Sequence, residues 1–185
     1  MRIEKLKEAY DIRVQTVHFP LHADTPSEGL LLEELFVGRE TDIDAMYVRM
    51  KGMMDAEGLP YAKRTHTYNS RLAQELGKWA DTQPVGEAIH IKLYQAYFID
   101  QKNIADIDLL VSIAEDSELK GSMAREVLET RSFKDAVDQD WAKSQRYGVT
   151  GVPTYVAEGQ GVVGAQPYEV LMQLMDAVGA TKTGP

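Results

Sequence analysis

The chain has 185 residues, 44% of them hydrophobic and 26% charged. That composition supports an ordinary core in one domain, or in one domain carrying a large insertion, and it is not that of a disordered chain. A net charge of -9 and a pI near 4.9 repel a phosphate backbone, which argues against nucleic acid as a partner. With no cysteine, the chain has no disulfides, no thiolate metal ligands and no cysteine nucleophile.

Nowhere does a run of about 18 apolar residues occur, so no membrane-spanning helix is expected. The opening stretch from Met1 to Gln15 scatters charges and lacks an apolar h-region, unlike a signal peptide. The expectation is a soluble, cytoplasmic protein with no membrane contact.

Residues 2–10 read as a short amphipathic helix with Ile3, Leu6 and Tyr10 on one face. Ile12 to Phe19 is rich in β-branched residues and stopped by Pro20, which predicts a well-buried strand. Pro20 to Gly29 is loop. Thr41 with Asp44 forms a capping-box pattern ahead of Ile43, Met46, Tyr47 and Met50, a helix closed by Gly58 and Pro60. Asn69 or Ser70 caps the next helix, through Trp79, and Pro84 suits the first position of a third, reaching about Asp100. Ile107 to Ala114 and Met123 to Leu128 mark two more. Ser132 with Asp135 is a second capping box, opening a helix that ends at Gly148.

Strand character returns at Thr154–Ala157. A turn at Glu158–Gly161 leads to a return strand from Val162, and Pro167 opens a last helix stopped at Gly179. Strands at both ends of a helical block must share a sheet to bury their faces, so the fold class is α/β with a helical insertion. The domain reading is 1–38 with 147–185, and 39–146 as the insertion.

Tyr147-Gly-Val-Thr-Gly-Val-Pro-Thr-Tyr155 sits between a helix end and a strand start. Read on its own, it is a helix-to-strand turn with a trans proline. Gly148-Val-Thr-Gly-Val-Pro-Thr154, the hairpin after it and Gly164-Ala-Gln-Pro167 resemble the C-terminal half of DsbA-like proteins of the FrnE type. His18-Phe-Pro-Leu21 is similar to that family's second strand and loop, and Asn69-Ser-Arg-Leu-Ala73 resembles its Asn-Thr-Arg helix start. The resemblance implies a thioredoxin fold and a cis Val152–Pro153 bond. It also implies a substrate-binding loop of Thr150, Gly151, Val152, Pro153 and Thr154 that offers its backbone to a peptide. Protein or peptide thiols and disulfides would be the partners, with no cofactor.

Family members begin with a strand leading into Cys-x-x-Cys, where the helix N-terminus lowers a thiolate pKa. Neither feature appears here, so the resemblance implies a protein disulfide oxidoreductase or isomerase with no catalytic residue in this chain, inactive as it stands. The expected explanation is a start placed too far downstream, behind a stop codon read as selenocysteine, with a trimmed chain as the alternative. The same resemblance implies that the first strand is missing from mid-sheet, between Ile12–Phe19 and Thr154–Ala157. Unpaired buried groups there would cost about 1–3 kcal/mol each, against a domain stability of about 5–15 kcal/mol. Exposed edges predict a homo-oligomer or a low melting temperature.

Kappa-class glutathione transferases and 2-hydroxychromene-2-carboxylate isomerases share the architecture and a Val-Pro loop, and would bring glutathione as partner. A non-catalytic thioredoxin-like binding or chaperone module is a third reading. His18 and His22 straddle Pro20 and share no helix face, which speaks against a metal site. His66 is a candidate groove residue, although a solvated loop histidine is the simpler reading. His90 reads as structural. Met46, Met50, Met53 and Met54 read as helix core in preference to an adaptable peptide surface.

Overall fold

The computed structural model describes residues 2–38, 41–84, 86 and 88–184. In chain order the elements are α1 (Arg2–Ala9), β1 (Leu30–Leu31), α2 (Leu32–Leu35), α3 (Ile43–Ala56), β2 (His66–Thr67), α4 (Arg71–Ala80) and α5 (Ala88–Phe98). Next come α6 (Ile107–Asp116), α7 (Gly121–Thr130), α8 (Lys134–Arg146), β3 (Thr154–Ala157), β4 (Gln160–Val163) and α9 (Tyr168–Ala177). They form two compact units: a terminal unit of Met1–Leu21 with Gln139–Pro185, and an inner unit of His22–Asp138.

The terminal unit is built on α1, α9 and the β3–β4 hairpin. Leu6 and Tyr10 of the N-terminal stretch bury against Leu171, Leu174 and Met175 of α9, with Tyr155 and Val162 of the hairpin packed alongside. The apolar residues of α9 recur at three- and four-residue spacing, so one stripe faces inward. Tyr10 is 1% exposed, and its hydroxyl donates to Asp176 Oδ1 at 2.8 Å. Burial, then that bond to a carboxylate, push the Tyr10 phenol up to about 12. Asp176 in turn is held below the usual carboxylate range by Tyr10 and then by Lys182, whose Nζ lies 3.3 Å away. The C-terminal stretch closes on α1 through Asp11 N–H to Thr181 O and Thr183 N–H to Ala9 O.

In the hairpin, Thr154 pairs with Val163 and Ala157 with Gln160. Glu158 and Gly159 connect them with φ of 45° and 77°, as a two-residue type I′ turn requires. The turn is therefore tighter than the Glu158–Gly161 expected, and β4 begins at Gln160.

The inner unit is helical. Ala73, Leu76, Trp79 and Ala80 of α4 join Ile89 of α5, Leu110 and Ala114 of α6, and Ala124 and Leu128 of α7 in one core. Glu75 is fully buried within this unit, bonded to Arg71 Nε and to two nitrogens of Arg131, all at 2.7 Å. Burial alone would raise its pKa, but the hydrogen bonds from Arg131 and Arg71 outweigh that and hold the carboxyl below its ordinary value. A buried carboxylate with these partners is a structural ion cluster.

Several sequence expectations are corrected. Ile12–Phe19 is not a buried paired strand: it enters no ladder, and Asp11 and Arg13 to Thr16 are exposed. The reason is physical, since among the described residues nothing lies beside it to complete a ladder. The methionine run is not core: α3 buries no residue, and Met46, Met50 and Met53 are 42%, 38% and 40% exposed. Asp42, not Thr41, caps α3, its carboxylate accepting from Ala45 N–H. Pro84 lies in a turn and α5 starts at Ala88; residues 85 and 87 of that expected helix fall outside the described ones. Residues 22–38 group with the helical unit rather than with 147–185. Leu30 and Leu31 pair with Thr67 and His66, and Asn69 Nδ2 donates to Thr25 O at 2.6 Å. The other division falls at Gln139, within α8, instead of at 146/147.

Candidate functional site

The loop Thr150–Thr154 is set by what precedes and follows it in the terminal unit. Helix α8 ends in a Schellman motif: Gly148 N–H bonds to Gln145 O and Val149 N–H to Ser144 O, with Gly148 at φ 67°. A left-handed residue there favours glycine, because a Cβ would crowd the following carbonyl. The chain then turns through Gly151 into β3. Thr154 Oγ1 donates to Gly151 O at 2.7 Å, and Gly164 N–H donates to Pro153 O at 2.7 Å. The Val152–Pro153 peptide is cis. Thr150, Val152 and Pro153 are exposed, Val152 to 51%, and Gly151 and Thr154 are half-buried. Among the described residues, neither the N–H nor the carbonyl of Val152 has a backbone partner.

Beside the loop lies a cavity of about 320 Å³, wholly within the terminal unit. One wall is Arg13, Gln15, Val17 and Phe19, and the other is Val152, Thr154 and Val156. On both walls every second residue contributes, as when one side of an extended strand faces a gap. Lys143, Ser144 and Tyr147 of α8 complete the lining. The backbone N–H of His18 donates to Asp140 Oδ2 at 3.0 Å, tying the first wall to α8. Among the described residues, strand β3 is hydrogen-bonded to β4 alone, and the stretch 12–19 joins no sheet.

The site expectations thus divide between the units. Thr150 to Thr154 share one loop of the terminal unit, while His66 belongs to the inner unit. There His66 sits on β2, its Nδ1 2.9 Å from Thr65 Oγ1 and its ring stacked on Tyr68, beside a cavity of only about 40 Å³. His90 bonds to Asp81 Oδ1 at 2.7 Å, a structural pairing. Among the described residues no group of three His, Cys, Asp or Glu side chains is placed to hold a metal ion. No helix among them is long and apolar enough to cross a membrane. Sequence reasoning missed Arg13, Lys143 and Tyr147 as lining residues. The alternation from Arg13 to Phe19 is the available signal, but in sequence it is equally the pattern of a buried strand.

A family model of the DSBA-like thioredoxin domain matches residues 1–176. The chain belongs to this family. The fold of this DSBA-like domain is therefore the α/β thioredoxin fold with an all-helical insertion. It is similar to the crystal structure of a probable DsbA oxidoreductase, SCO1869, from Streptomyces coelicolor. The TM-score is 0.87 at 26% identity, covering 96% of this chain and 81% of that one. A putative protein disulfide isomerase from Nitrosomonas europaea has a TM-score of 0.61 at 15% identity, covering 80% and 75%, a likeness of fold alone. Among curated proteins, the uncharacterized protein YwbO of Bacillus subtilis (strain 168) is 31% identical over 106 residues. That is 57% of this chain and 52% of YwbO, so the match spans about half of that relative.

Proposed function

We propose that this DSBA-like domain presents an extended substrate peptide to a thiol–disulfide exchange centre whose thiols it does not itself carry. The observation behind the reading is Val152, exposed two residues before β3 with both backbone groups open among the described residues. A peptide laid along it would pair N–H with carbonyl by strand addition. In the exchange, a thiolate attacks one sulfur of a substrate disulfide. The S–S bond breaks, a mixed disulfide forms, and the other sulfur leaves as thiolate. No atom of this chain can take that part, since it has no cysteine. Its contribution is to bind and orient protein or peptide disulfides through Thr150–Thr154.

The absence of cysteine favours a second reading, a non-catalytic peptide-binding module of the same fold. One experiment tests both. Fluorescence anisotropy should show saturable binding of labelled, carboxymethylated insulin B chain. Val152→Pro, which removes the N–H, should weaken it about tenfold. No saturable binding, or none lost in a folded variant, contradicts the site. Faster cleavage of insulin by dithiothreitol when the chain is added supports the exchange reading. An unchanged rate with binding intact supports the binding module.

A further inference from the structure

We infer that Arg64, with His66 and Gln101 beside it in the inner unit, forms a binding site for a carboxylate group brought by another molecule. The guanidinium is held but not neutralised. Its carbon lies 4.6 Å from the Tyr97 ring centroid and 4.9 Å from that of Phe98, so two rings fix its place. Its one hydrogen bond among the described residues, from Nη1 to the His66 carbonyl, is long at 3.5 Å. Nε is sealed from solvent with no acceptor, whereas buried donors are nearly always satisfied. The preceding residue shows the contrast: Lys63 pairs with Asp44 at 2.7 Å, while no carboxylate among the described residues pairs with Arg64. In a chain with net charge -9, a half-buried cation left without an acid partner favours an anion from outside.

Size and shape select the anion. Arg64, His66 and Gln101 line a cavity of about 40 Å³ together with Tyr68 and Tyr97. A water needs about 10–15 Å³, so there is room for about three water-sized groups, enough for a carboxylate and too little for a phosphate. The planar fork of arginine matches the two oxygens of a carboxylate. The His66 ring is stacked on Tyr68 with 5° between the planes, and its Nδ1 is taken up by Thr65 Oγ1 at 2.9 Å. That leaves Nε2 as the free ring nitrogen. The Gln101 side chain is exposed at the cavity and offers amide N–H donors. With the rings and the guanidinium already held, little side-chain freedom is lost on binding. The site uses no residue of the Thr150–Thr154 loop, so either reading can fail without the other.

The test titrates the full isotope-labelled chain with sodium acetate, sodium phosphate and sodium chloride at one ionic strength. NMR reads the Arg64 side-chain Nε–H and the His66 ring. Acetate should shift both signals saturably and bind at least about tenfold more tightly than phosphate or chloride. Arg64→Lys keeps the charge but loses the fork, and should weaken acetate about tenfold. Gln101→Glu changes an exposed residue, which spares the fold, and sets a competing carboxylate at the cavity; saturable binding should vanish. An N-acetylated alanine tripeptide with a free C-terminal carboxylate, set against its amide, identifies the carrier. Tighter binding than acetate, lost in the amide, marks a peptide; equal or weaker binding marks a small organic acid. Shifts that do not saturate, equal binding of chloride, or acetate binding unchanged in folded Arg64→Lys and Gln101→Glu would overturn the inference.

Discussion

Arg131 grips Glu75 with two nitrogens at 2.7 Å each, from a position at the end of α7 where its own backbone is left-handed, φ 56°. The non-glycine residue is held in that conformation beside a carboxylate that is fully buried and bonded to Arg71 as well. Removing the carboxylate leaves two guanidinium groups without their shared partner. Glu75→Gln is expected to destabilise the protein by about 3 kcal/mol, the range for breaking a buried ion pair. Arg131→Ala, with Arg71 still in place, should cost less, about 1–3 kcal/mol. Urea denaturation with unchanged slope measures both.

The Glu75 carboxyl titrates below its unfolded value, so it adds stability above the unfolded pKa, near 4.3, and loses it as pH falls through the folded pKa. Wild type should therefore lose stability on acidification below about pH 4.3 more steeply than Glu75→Gln. Parallel profiles would show that the cluster is not ionised as described.

Tyr10 gives the opposite sign. Its folded pKa is about 12, against about 10 when unfolded. The unfolded chain then gives up its proton first, so the contribution is whole below pH 10 and is lost as pH rises through 12. Tyr10→Phe should flatten the stability profile across that window, read from thermal melts between pH 9 and about 12. A profile as steep as wild type would contradict the Tyr10–Asp176 bond.

Gly148 tests how the loop is set. Its φ is 67°, and a Cβ there would meet nothing within 4 Å, so the penalty for Gly148→Ala is conformational only. About 1 kcal/mol is expected, visible as a lower denaturant midpoint.

The helices and the hairpin were legible in the sequence because their signals are local. Gly148 and Gly179 mark helix ends, Pro167 opens α9, and Glu158-Gly159 supplies the turn. What could not be read is what each face meets. The β-branched run from Ile12 to Phe19 has the propensity of a buried strand but no described ladder partner. The methionines of α3 have helical spacing but bury nothing, because periodicity defines a face and not its neighbour. The two-residue strands β1 and β2 carry no pattern of their own and exist through Leu30–Thr67 pairing. The motif around Pro153 made Thr150–Thr154 the expected site, whereas Lys143 reaches the cavity beside that loop only through the fold.

Without a thiol, the chain should not accelerate insulin reduction in the absence of added dithiol, because no mixed disulfide can form on it. Turbidity of precipitating B chain is the measurement, and reduction by the thiol-free chain would refute the account of its chemistry.

The most direct measurement is an amide NMR map of the isotope-labelled chain titrated with carboxymethylated insulin B chain. If Val152 opens the peptide-binding edge, saturable shifts should centre on Thr150–Thr154 and weaken together in Val152→Pro. Shifts that leave this loop untouched while the peptide binds elsewhere would contradict the assignment of the site.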